Sequence, residues 1–180
     1  MNESKEEIME ATYRALCSHG YADLTIEKIA MESEKGKSLI YYHYEDKEDL
    51  MGSFLEYMGR KLEDEISELE DLPAEEKLDE LLDLFLDVDD GEMWEFHKAL
   101  SELRVQTHHN SSLAEKFLEI DSYLTDTIAE TMKDAGVQEP DLRAEIMASA
   151  MEGALTRKIR ADDREGLKEV KKELKSLFDF

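Results

Sequence analysis

Only two prolines, Pro73 and Pro140, occur in the 180 residues, and each falls where a helix can begin. Inside a helix, proline removes an N–H and clashes with the preceding turn; at the first helical position its missing donor costs little. A chain with so few breakers is free to be helical almost throughout. Its apolar residues recur at i, i+3, i+4 and i+7, the period of a helix with one buried face. No alternating β-branched stretch of strand length stands out. Eight glycines and an abundance of Leu, Glu, Ala and Lys point the same way. The expected fold class is all-α.

The pattern divides into helices with recognisable ends. Ile8, Ala11, Thr12, Ala15 and Leu16 share one face of a helix over 3–19, and Gly20 follows as a stop. Thr25 has the chemistry of an N-cap for a short helix over 26–32, with Leu24 and Ile29 placed to staple it. Ser33 to Lys35 must turn the chain, and 36–43 makes a third short helix. Asp46 caps a fourth, about 47–70, whose apolar face is Leu50, Phe54, Tyr57, Met58, Leu62, Ile66 and Leu69. Pro73 opens 74–88, with Leu78, Leu81, Leu82, Phe85 and Leu86 inward. Asp89-Asp90-Gly91 reads as a turn before a helix over 92–107. Ser112 and Glu115 have capping-box spacing at the head of a long helix that ends near Gly136. Pro140 starts another, to about 160, and Leu167, Val170, Leu174 and Leu177 mark a last one.

Charge constrains the partners. Lys and Arg number 22 against 46 Asp and Glu, a net charge of −24. Such acidity argues against general nucleic-acid affinity, which is largely phosphate neutralisation. The distribution matters more than the sum. The stretch 35–47 holds Lys35, Lys37 and Lys47 against Glu45 and Asp46, a net of +1 inside a strongly negative chain. The N-terminus is acidic, unlike a signal peptide, and no apolar run has the ~20 residues of a membrane span. A cytoplasmic protein without membrane attachment is expected. One cysteine, Cys17, leaves no internal disulfide and is expected as a small buried hydrophobe. No Gly-rich phosphate loop, HExxH, CxxC or nucleophile elbow is present, so neither an enzyme nor a cofactor is expected. His97, His108 and His109 lack helical ligand spacing, and no metal site is expected.

Two short helices joined by a tight turn, behind a supporting first helix, are what a helix-turn-helix requires. The residues add to the pattern. Ala11, Leu16, Gly20-Tyr21, Thr25, Ile29-Ala30, Leu39-Ile40-Tyr41-Tyr42-His43-Tyr44 and Lys47-Glu48-Asp49-Leu50 fall at matching spacing from Ile8 to Met51. In this the chain resembles the N-terminal module of TetR-family regulators, which show a Leu-Tyr-x-His-Phe segment followed by Lys-x-x-Leu. It departs from them in the turn, where Ser33-Glu34-Lys35-Gly36 stands for the usual Ala-Gly-Val-Ser.

The resemblance implies a three-helix DNA-binding module over 1–47, joined by a long helix to a bundle over 48–180 that dimerises and holds an effector. Lys37 and Ser38, opening the recognition helix, are the candidates for base contact, with Lys35 beside them. Tyr42 and His43 are expected on backbone and sugar, and Thr25 and Lys47 on phosphate. Tyr41 and Tyr44 are expected to pack between the module and the fourth helix. Candidate effector residues are Phe85, Met93, Trp94, Phe96, His97, Leu100, Phe117 and Tyr123. The candidate dimer interface is Met147, Ala150, Met151, Gly153 and Ala154, where small side chains let helices approach, together with Leu167, Val170, Leu174 and Leu177. The functional expectation is a homodimeric repressor that leaves double-stranded operator DNA when a small apolar molecule binds. The alternative is an acidic helical adaptor that binds a protein and not DNA.

Overall fold

The computed structural model describes residues 3–33, 36–86, 88 and 91–177. Among them are nine α-helices and no strand: α1 (Glu3–His19), α2 (Ile26–Glu32), α3 (Lys37–His43), α4 (Lys47–Ser67), α5 (Ala74–Leu86), α6 (Gly91–Gln106), α7 (Ser111–Asp134), α8 (Pro140–Ala161) and α9 (Arg164–Leu177). They form two compact units. One holds residues 1–61 and 91–118; the other holds 62–90 and 119–180. No helix among the described residues is long and apolar enough to cross a membrane.

The first unit grows around α1. Its expected face, Ile8, Ala11, Thr12, Ala15 and Leu16, is fully buried, and the Thr12 hydroxyl is satisfied by donating to Ile8 O at 2.7 Å. Gly20 ends the helix at φ 69°, its N–H reaching Leu16 O at 2.8 Å. That left-handed conformation is nearly free for glycine only. Thr25 adopts extended backbone and accepts from Lys28 N at 3.2 Å, the N-cap of α2. Arg14 of α1 donates to Glu32 O at 2.8 Å and so closes the other end of α2. The α4 cap is reciprocal: Asp49 N donates to Asp46 Oδ1 at 2.9 Å, and Glu45 N to Asp49 Oδ2 at 3.0 Å.

The three-helix module shares its core with α4 and α6. The Phe96 ring of α6 lies 4.7 Å from Tyr13 and 6.2 Å edge-on from Phe54. Glu102 of α6 accepts from Ala22 N at 3.0 Å, fixing the turn between α1 and α2. Asn110 donates to Glu48 at 3.0 Å, and Lys116 of α7 pairs with Glu56 of α4 at 3.1 Å. The compact unit is therefore larger than the helix-turn-helix itself.

The second unit packs α5, α8 and α9 together. Leu78, Leu81, Leu82 and Leu86 of α5, Ala144, Met147 and Met151 of α8, and Leu167 and Leu174 of α9 are buried in it. At its surface Asp83 holds both Lys171 and Lys175 at 3.0 Å, binding α5 to α9. Asp163 caps α9 by accepting from Gly166 N at 2.9 Å, while Lys158 of α8 holds its other oxygen at 2.6 Å.

Several expectations need correcting. The α7 cap is Asn110, which accepts from Leu113 N at 3.1 Å, and not Ser112. The fourth helix ends at Ser67 rather than near 70, and α5 ends at Leu86 rather than 88. Cys17 is half-buried, not enclosed. Lys35, and Asp89 and Asp90 of the expected turn, lie outside the described residues.

Candidate nucleic-acid interface

Recognition needs a short helix held firmly from behind with its polar side left open. The sequence of α3 meets this through the i, i+4 spacing of Ile40 and Tyr44, both buried. Tyr44 N donates to Ile40 O at 2.9 Å and closes the helix. Burial, with Asp49 adding to it, pushes the Tyr44 phenol above its ordinary pKa, so it remains a neutral core group. Lys5 of α1 lies over its ring at 5.7 Å. Ser38 and Tyr42 face outward, Tyr42 with 81% of its surface exposed. His43 is half-buried and meets the Tyr42 ring edge-on at 4.9 Å. Tyr41 departs from the expected core role: it is 50% exposed and lies under the Lys37 ammonium at 5.3 Å. One helical step of 100° past the buried Ile40 carries it out of the core.

The residue that caps α3 at its start is Gly36, at φ 74° and ψ 163°. Only glycine adopts that region readily. A serine cap would have supplied an oxygen at this position; here the helix has no side-chain cap.

Among the described residues the candidate cations Lys37 and Lys47 are engaged within the protein. The Lys37 ammonium is paired with Glu27 of α2. Lys47 points inward, donating to Leu24 O at 3.1 Å and Tyr21 O at 3.3 Å, with the Tyr21 ring 4.1 Å away. Partial burial there holds its pKa below the ordinary lysine value. An ammonium has three N–H donors, so one is left for another acceptor. Lys47 thus fastens α4 to the turn that opens α2. Thr25 is exposed; its oxygen caps α2 and its hydroxyl donates to the Glu27 carboxylate.

The remaining candidates divide between the two units. In the first, Trp94, Phe96 and Phe117 are buried, and Met93, His97 and Leu100 are half-buried. Phe96 belongs to the core with Tyr13 and Phe54. Arg104 lies over the Phe117 ring at 4.4 Å. The His97 Nε2 atom is sealed from solvent and has no hydrogen-bond partner, and burial pushes the imidazole pKa down to about 4. In the second unit, Phe85 and Tyr123 are half-buried. Of the α8 and α9 candidates, Met147, Met151, Leu167 and Leu174 are buried within that unit. Ala150, Gly153, Ala154 and Val170 are half-buried, and Leu177 is exposed. Sequence reasoning missed Leu142 and Ile146, large and exposed on the same stripe of α8 as Gly153. Their i, i+4, i+11 spacing was the signal that would have found them.

The comparisons agree with this geometry. Residues 8–53 match the model of the bacterial regulatory proteins of the tetR family. A TetR transcription regulator from Haloarcula marismortui is 32% identical, with 98% of this chain and 96% of that one aligned and a TM-score of 0.87. The chain belongs to the TetR family. It is a DNA-binding transcriptional regulator, in a family whose members act by binding DNA and not by catalysis. The transcriptional repressor AcnR of Corynebacterium glutamicum is 24% identical over 174 residues, 93% of this chain and 88% of that protein. A regulator of Saccharomonospora viridis solved with choline shares the fold at a TM-score of 0.84 and 19% identity, covering 99% of this chain and 97% of that one.

Proposed function

We propose that this TetR-family regulator is a homodimeric repressor that leaves its operator when a small, largely apolar molecule binds beside His97. The observation that carries the ligand is the sealed, partnerless Nε2 of His97. Buried polar atoms almost always have a partner, so an exception calls for an explanation, and a bound molecule that accepts or donates there is one. Met93, Trp94 and Leu100 fall three or four positions from His97 along α6, so its stripe of the helix is apolar with one polar group to fix orientation. The neutral imidazole suits an effector that offers a hydrogen-bonding group on an apolar body. The same helix reaches the DNA module through Glu102 and Phe96, so a ligand on α6 biases the recognition helices by its preference for one arrangement.

On this reading 1–47 reads DNA and the rest regulates. Lys37 and Ser38 address base edges, with Lys35 beside them; Tyr42 and His43 address backbone and sugar; and Thr25 and the free N–H of Lys47 address phosphate. The dimer forms on α8 and α9 through Leu142, Ile146, Gly153 and Leu177. The similarity to AcnR supports repression over activation. Selection of bound sites from random duplex DNA, followed by screening small molecules for release of the selected duplex, tests the proposal. A palindromic site released by a ligand that fails on His97→Phe is expected. No enriched site would favour the adaptor reading, and release that ignores His97→Phe would remove the effector assignment.

A further inference from the structure

The first residue of the recognition helix, Lys37, has its charge answered inside the protein. Its ammonium is paired with the Glu27 carboxylate of α2, ten positions earlier, and lies over the Tyr41 ring. Each partner stabilises the other's charge. The hydrogen bond from Lys37 holds the Glu27 carboxyl below the ordinary carboxylate range, and Glu27 in turn holds Lys37 above the ordinary lysine value. Both side chains are exposed, Lys37 at 45% and Glu27 at 59%. Exposed pairs of this kind contribute little to folding. The pair's place, at the mouth of the helix that reads DNA, gives it a different consequence.

We infer that Glu27 is a specificity-determining residue: it lowers non-specific DNA affinity more than operator affinity. A lysine gains from any phosphate, whatever the sequence, because the contact is one charge against another. Glu27 already supplies that charge to Lys37 and repels an incoming phosphate, so the sequence-independent gain at this position is largely cancelled. A guanine edge is different. It presents O6 and N7, two acceptors without net charge. The ammonium has three donors; Glu27 takes one and the Tyr41 hydroxyl a second, so Lys37 can keep both partners and still donate one hydrogen bond to the base. The contact that survives Glu27 is therefore the one that carries sequence information. The same carboxylate keeps the locally positive stretch around α3 from acting as a general phosphate site.

This rests on the proposed placement of Lys37 at base edges, and the test separates the two. Affinities of wild type, Glu27→Gln and Lys37→Ala would be measured by fluorescence anisotropy. The probes are the operator duplex obtained by selection and a scrambled duplex of equal length and composition, in 0.1 M and 0.5 M potassium chloride. Gln keeps the hydrogen bond and removes the charge, and an exposed site should leave thermal stability unchanged. At 0.1 M, Glu27→Gln is expected to tighten scrambled-duplex binding about 10-fold and operator binding about 2-fold, so that the specificity ratio falls about 5-fold. The difference should shrink at 0.5 M as screening shortens. An unchanged or larger ratio overturns the inference, and so does a ratio that falls because operator binding weakens while scrambled-duplex binding stays unchanged, the result expected if Glu27 merely positions Lys37. If Lys37→Ala leaves operator affinity intact, the placement of Lys37 is wrong, and the inference falls with it.

Discussion

Replacing His97 by phenylalanine tests the interior of α6 and the ligand reading together. In the folded protein, burial lowers the imidazole pKa from its ordinary 6.5 to about 4. The unfolded chain then binds more protons than the folded one between those values. Stability contributed by the neutral imidazole is full above pH 6.5 and is lost as pH falls toward 4. One pKa unit corresponds to ~1.4 kcal/mol, so the loss amounts to about 2 kcal/mol at pH 5 and about 3 kcal/mol by pH 4. These are upper values, since the ring is only half-buried while its Nε2 is sealed. Phenylalanine has similar shape and no polar atom to leave unpaired. At pH 7.5 it should stabilise the ligand-free protein by about 1 kcal/mol, because an unsatisfied buried group costs ~1–3 kcal/mol. The assay is urea unfolding of both proteins at equal protomer concentration, from pH 7.5 down to 4.5. Carboxylate protonation affects both proteins alike, so the difference between the curves isolates His97. The variant should gain relative stability steadily below pH 6.5. Parallel curves, or a variant less stable at pH 7.5, would refute the claim that Nε2 is buried without a partner.

Three further outcomes follow from the same structure. Lys47→Met keeps the stem but removes two charged hydrogen bonds to Tyr21 O and Leu24 O; it should cost about 1–2 kcal/mol in urea unfolding and weaken binding to all duplexes alike. Gly153 has open space where a Cβ would stand, so Gly153→Leu should leave the protomer folded by circular dichroism yet shift sedimentation equilibrium toward monomer. Because Lys37 and Lys47 are engaged internally and the chain carries −24, few counterions are released on binding, and operator affinity should change little between 0.1 M and 2 M potassium chloride. A steep loss, measured by anisotropy, would show that local lysines outweigh the acidic field.

What could be read from the sequence was what local chemistry decides. Gly20, Thr25, Asp46 and Pro140 mark helix ends because a left-handed residue, a capping oxygen or a missing N–H acts within one turn. The buried face of α1, and Leu78, Leu81, Leu82 and Leu86 of α5, followed from period alone, while Phe85 on the same predicted face is half-buried. Asn110 escaped because Ser112–Glu115 satisfies the same spacing rule, and the loop before α7 decides which residue caps. Tyr41 was misplaced by grouping it with Tyr44, three positions on, although Ile40 and Tyr44 already define the buried face. The site's electrostatics were not legible at all. Lys37 meets Glu27 across two helices, Lys47 reaches back 23 and 26 positions, and Glu102 reaches back 80. No local pattern encodes those meetings; only the packed module brings them about.

The central claim is that α3, presented twice by a dimer, reads a defined DNA sequence. Titrating the wild-type protein into the selected operator and into the same duplex with its half-site bases exchanged, with stoichiometry read by sedimentation, tests this most directly. The account predicts two chains per operator and at least ~10³-fold tighter binding than to the exchanged duplex, the lower end for specific regulators. Equal affinity for both duplexes, or a single chain per operator, would contradict it.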